Sequence, residues 1–134
     1  MAARPFNWSE YFRLASELAT QQDEASLRSA LSRAYYYVYH LALQRAEANN
    51  FRAIQGEASH KQLWRVFSGS PEPECQRLAT IAERLKEKRE RADYNGHFPR
   101  IAEEVPALLQ DAQDFARRLR VLDSRHPNPG SQRV

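Results

Sequence analysis

Apolar residues recur at helical spacing along most of the chain. Trp8, Tyr11, Phe12, Ala15, Leu18 and Ala19 fall three or four apart, which predicts a first helix from about Trp8 to Gln21. Asn7 followed by Glu10 has the cap-and-return pattern of a helix start. Asp23 or Ser26 then caps a longer second helix that runs to about Asn49. Its apolar residues, from Leu27 and Ala30 through Tyr35 and Tyr39 to Leu43, cover more than one face. Such a helix belongs at the centre, with neighbours on several sides. Phe51 to Gly56 form a connection, and a short third helix is expected from about Glu57 to Phe67, ended by Ser68-Gly69. Ser70 before Pro71 gives the favoured order of cap and first helical residue for a fourth helix, which reaches Tyr94 and stops at Asn95-Gly96. A last helix starts near Pro99 and extends to Leu122, and Pro106 inside it predicts a kink or break near Glu104. From Asp123 onward periodicity is lost. The domain is therefore expected over residues 1–122, with a disordered tail over 123–134. Four or five antiparallel helices with short connections make an all-α bundle.

Composition narrows the picture further. A chain of 134 residues is one domain's length, and four glycines are few for a fold built from strands and tight turns. A net charge of +3 permits contact with nucleic acid without requiring it. Cys75 stands alone, which excludes an intrachain disulfide and a Cys-rich zinc site and suits a reducing compartment. No apolar run approaches a membrane span or a signal peptide, so a cytoplasmic protein is expected. Cys75 reads as an incidental surface thiol. His40 and His60 lack the acidic or cysteine companions of a metal site, and neither a metal nor a cofactor is expected. Nucleophile-elbow and glycine-rich phosphate-loop patterns are also missing from the sequence.

Three segments in order carry a family resemblance. RSALSRAYYYVYHLALQRAEANNF, from Arg28 to Phe51, resembles the second helix of HEPN proteins. Ser59-His60 followed by Phe67 resembles the short helix after it, and LKEKRERADYNGH, from Leu85 to His97, resembles the fourth helix with its Arg-x-x-Ala-Asp-Tyr core. The resemblance implies a helical bundle that forms a symmetric homodimer in which two copies of the fourth helix meet at a composite cleft. It also implies metal-independent cleavage of RNA by attack of a ribose 2′-hydroxyl on the adjacent phosphate. In that chemistry an arginine stabilises the phosphorane and a histidine moves protons. Many such proteins are toxins paired with a nucleotidyltransferase-type antitoxin; others are inactive modules that bind RNA, nucleotide or a partner.

Which residues would carry this chemistry follows from spacing. At about 100° per residue, Leu78, Ile81, Ala82 and Leu85 form a stripe that Arg89 and Ala92 continue, while Arg91 lies opposite. Arg89 is thus directed inward, where a cation needs an anionic partner, and Asp93 is one turn away. The HEPN signature places four to six residues between arginine and histidine. Counting from Arg89, four intervening residues lead to Tyr94; from Arg91, five lead to His97. Arg89, Arg91 and His97 are the catalytic candidates. The plainer alternative is an Arg89–Asp93 salt bridge with His97 at the surface. Arg33, Tyr36 or Tyr37, and His40 share a side of the second helix and are expected to line a cleft facing the fourth helix, with Asp93 and Tyr94. Alternatively, Arg33 bridges to Asp93 or Glu90. The tyrosine run Tyr35-Tyr36-Tyr37 with Tyr39 reads first as core, and second as a base-stacking surface.

Overall fold

The computed structural model describes residues 4–54 and 58–132, and over these the chain forms five α-helices and no strand. They are α1 (Ser9–Ala19), α2 (Glu24–Ala48), α3 (Ser59–Ser68), α4 (Pro73–Tyr94) and α5 (Ile101–Val121). No helix among the described residues is long and apolar enough to cross a membrane.

The long second helix is the axis of the bundle. Asp23 accepts the Ser26 backbone N–H at 3.0 Å, which fixes its start, and the Ser26 hydroxyl followed by that N–H lowers the Asp23 pKa. Leu27, Ala30, Leu31, Ala34, Tyr35, Val38, Tyr39, Ala42 and Ala46 are all buried, too many for one stripe, and all four other helices pack around α2. Its alanines let those neighbours approach closely, and its large residues reach between them. Asn50 takes a left-handed conformation at φ 72°, so the Phe51 N–H returns to the Ala46 carbonyl at 3.0 Å and the Phe51 ring is buried. Gln62, a buried polar residue on α3, clamps this connection by accepting from the Ile54 N–H and donating to its carbonyl, at 2.6 and 3.0 Å.

At the start of α1 the N-cap position is Trp8, not Asn7, and Asn7 instead makes a local turn by accepting the Ser9 N–H at 3.1 Å, while Glu10 pairs with Arg13 instead of returning to Asn7. The fourth helix starts two residues later than Ser70-Pro71 suggests. Glu72 precedes Pro73, and the proline ring disfavours α geometry in the residue before it, so Glu72 stays extended (ψ 115°) and caps the helix itself. Ser70 instead accepts the Glu72 N–H at 3.1 Å. Cys75 is fully buried here, contrary to the expected surface thiol, and burial raises its pKa.

Two further expectations are corrected. The last helix is not interrupted at Pro106. That proline lies in its second turn on the solvent side, so the ring removes one N–H beside an exposed Ala102 and meets no packed neighbour. The segment from Asp123 is not a loose tail over its described part. Arg45 on α2 donates to the carbonyls of Leu119, Asp123 and His126, at 2.7, 3.3 and 2.9 Å, and Asn49 donates to that of Ser124 at 3.0 Å. Pro127 is buried. Backbone carbonyls held by a half-buried guanidinium, and not apolar periodicity, order this stretch.

Candidate functional site

One stripe of α2, one of α4 and the first turn of α3 converge on Arg89. Its side chain is 9% exposed, and its guanidinium lies 5.3 Å from the ring centres of both Tyr35 and Tyr36. The expected partner Asp93 is present but distant, with Arg89 Nη1 to Asp93 Oδ2 at 3.5 Å; the same oxygen accepts from Ser32 Oγ at 3.4 Å. Arg89 Nε is enclosed and has no hydrogen-bond partner among the described residues. A buried guanidinium normally satisfies its fork of donors, so this one is under-paired. Arg28, one turn before Ser32 on the same stripe, caps the end of α4 by donating to the carbonyls of Ala92 and Asn95 at 2.9 and 2.6 Å. Its Nη2 is likewise buried without a partner.

Beside Arg89 stands an imidazole that spacing did not single out for this role. His60 Nδ1 lies 2.6 Å from the Tyr35 hydroxyl, which also accepts the Trp64 indole N–H at 3.1 Å. The imidazole stacks on Tyr39 at 4.0 Å and meets the edge of Tyr36 at 5.8 Å. Burial, then the positive charges of Arg89 and Lys86, push the His60 pKa down to about 4. Burial holds Tyr35 protonated well above the usual tyrosine range. Trp64 is a donor only, so the Tyr35 oxygen accepts from it and keeps its own proton to donate, for which His60 Nδ1 at 2.6 Å is the acceptor when the imidazole carries its proton on Nε2. We assign this Nε2–H tautomer to neutral His60.

The candidates named from the sequence divide. Arg89, Asp93 and Tyr36 are brought together. Arg33 is not at a cleft facing α4 and bridges neither Asp93 nor Glu90; its guanidinium lies over Tyr11 of α1 at 5.0 Å. His40 also faces α1, stacked flat on Trp8 at 3.4 Å, and burial lowers its pKa. Arg33 sits about 100° round from Ser32, and His40, one turn after Tyr36, lies where the Arg28–Ser32–Tyr36 row, drifting about 40° per turn, has come round to the Trp8 side. Tyr94 is 81% exposed and lines nothing. Arg91 is exposed and lies over the Phe98 ring at 5.4 Å. His97 is exposed just past α4, where its backbone N–H bonds Asn95 Oδ1 at 2.9 Å; its imidazole makes no hydrogen bond or ring contact with Arg89 or Arg91 in the single chain. Of the tyrosine run, Tyr35 and Tyr39 are core, and Tyr36 and Tyr37 are half-buried.

His60 and Arg28 had a faint signal. Trp64 follows His60 by one helical turn, and Arg28 precedes Ser32 by one, but which helix each faces depends on how the helices pack. Among the described residues no group of three or more His, Cys, Asp or Glu is placed to hold a metal ion. Compared with protein-family models, curated proteins and solved structures, the chain matches none.

Proposed function

We propose that this chain is a HEPN-type module that binds RNA through a backbone phosphate at Arg89. The observation that carries this reading is the enclosed Nε of Arg89, unpartnered among the described residues, on a guanidinium whose only ion pair among them is a long contact to Asp93. A buried fork with donors to spare suits a tetrahedral oxyanion, to which it presents parallel N–H groups. The half-buried Tyr36 beside it offers a face for a base. The resemblance of three ordered segments supports the same reading and suggests a homodimer and a nucleotidyltransferase-type partner.

Fluorescence anisotropy with labelled single-stranded RNA tests it. Binding weakens as salt rises, because bound phosphates release counterions. Arg89→Lys keeps the charge but loses the fork and weakens binding about tenfold while the thermal melt is retained. Wild-type protein with no affinity for RNA at low salt would end this reading.

A second reading, RNA cleavage without a metal, is favoured by the exposed imidazole of His97, separated from Arg91 by five intervening residues. In one chain that imidazole does not reach Arg89, so cleavage needs a second copy to bring it there. Cutting of RNA in EDTA that disappears in His97→Ala supports this version. An uncut RNA panel leaves binding alone.

A further inference from the structure

We propose that His60 completes the Arg89 site: the two side chains form one oxyanion pocket, in which Arg89 supplies charge and the Nε2–H of His60 supplies a neutral hydrogen bond. This rests on the phosphate-binding reading above and names the second ligand-holding residue, on α3 and not at the end of α4.

Three observations converge on it. His60 and Arg89 share two neighbours, since Tyr35 and Tyr36 each contact both of them. The Trp64–Tyr35–His60 chain holds the imidazole by Nδ1 and, in the assigned tautomer, turns its Nε2–H away from Tyr35. Its Nε2–H makes no hydrogen bond among the described residues, just as Arg89 Nε makes none. Two unfilled donors, one charged and one neutral, thus border the same pair of rings. A cation cannot be their ligand, because neither group offers it a lone pair. A tetrahedral oxyanion carrying at least two acceptor oxygens matches, and a phosphate of RNA has that chemistry. The buried Trp64 and the stacked Tyr39 fix the ring before any ligand arrives, so His60 acts as a preset donor.

The charges around His60 give the pocket a pH signature. From α2 it faces Tyr35, Tyr36, Tyr39 and His40; from α3, Ser59 and Trp64; from α4, Lys86, Arg89 and Glu90. Arg89 and Lys86 oppose its protonation and only Glu90 favours it. A bound anion offsets the two cations and therefore raises the His60 pKa. By linkage the same anion binds more tightly once the imidazole is charged, so affinity increases as pH falls toward the free value of about 4.

The test is an NMR titration of the histidine rings in the full chain, with and without sodium sulfate, whose charge is constant across this range. Saturating sulfate is expected to raise the His60 midpoint by about one pH unit, and sulfate to bind about tenfold more tightly at the acid end than at neutrality. His60→Gln, which keeps a neutral N–H donor, binds sulfate at pH 7 within about threefold of wild type but loses the pH dependence. If sulfate shifts the Arg89 Nε–H signal and leaves the His60 midpoint where it was, the shared pocket is refuted while phosphate binding at Arg89 stands. If sulfate moves neither signal and RNA does not bind, the underlying reading fails with it.

Discussion

Neutral His60 is held at a cost that grows as the solution becomes acid, and the sign follows from its two states. In the unfolded chain the imidazole titrates near 6.5, and in the folded chain near 4. Above about 6.5 both states are neutral and the group contributes nothing to the pH dependence. Between about 6.5 and 4 the unfolded chain takes up the proton first, so folding stability falls as pH falls through that window. The ring is only half-buried, so the loss should be about 1–2 kcal/mol, roughly half of what the full shift corresponds to. Thermal melts of wild type and His60→Gln should therefore converge as pH drops from about 7 to 4.5, with the wild type losing more. Parallel curves would mean that His60 is not desolvated. Next to it, Tyr35→Phe removes an oxygen that serves both the Trp64 N–H and His60 Nδ1. It leaves the buried indole donor unpaired and should cost about 1–3 kcal/mol in urea unfolding, more than the loss of one exposed hydroxyl.

At the scale of the helix, boundaries written in local chemistry were readable and those set by packing were not. The Asp23 cap, the central place of α2 and the Asn95-Gly96 stop all follow from residues within a turn of the feature. The late start of α4 is written in Pro73 and not in Pro71, because it is Glu72 that the second proline holds extended. Which side of α2 faces α4 was beyond the sequence: Arg33 and Arg28 are five residues apart, and periodicity treats both as flanking a wide apolar surface. Only the packing of α1 against Trp8, His40 and Arg33 decides it. The ordered stretch after α5 was hidden for a related reason, since its anchor, Arg45, lies about eighty residues away in sequence. Arg45→Ala should release that stretch. Backbone amide exchange at His126, whose N–H is bonded to the Asp123 carbonyl, should speed up at least tenfold while exchange in α4 stays as it was. Unchanged protection there would mean that Pro127 burial alone holds the segment. Within α5, Pro106→Ala should restore one backbone bond at an exposed position and raise stability by about 1–3 kcal/mol, read from urea unfolding.

For the molecule as a whole, the two candidate imidazoles sit in different places relative to Arg89. His60 reaches it within one chain through the Tyr35 and Tyr36 rings, whereas His97 lies exposed beyond the end of α4 with no contact to it. A homodimer with α4 against α4 would be the means of supplying His97 in trans, because a two-fold axis places each copy's helix end beside the other's. This separates cleavage from binding by stoichiometry. Suppose wild-type protein cuts RNA in EDTA and both Arg89→Lys and His97→Ala are inactive. Mixing equal amounts of the two variants, with time for exchange, makes about half of the dimers mixed. In each mixed dimer one site joins Arg89 of the His97→Ala chain to His97 of the Arg89→Lys chain and is intact, while the other has neither. Activity should therefore recover to about a quarter of wild type. If the site were built within one chain, no mixed dimer would contain a whole site and the mixture would stay inactive. A recovered quarter assigns proton transfer to His97 across the axis and leaves His60 as a donor in the pocket. An inactive mixture, from variants that still exchange as dimers, would remove His97 from Arg89's chemistry in trans.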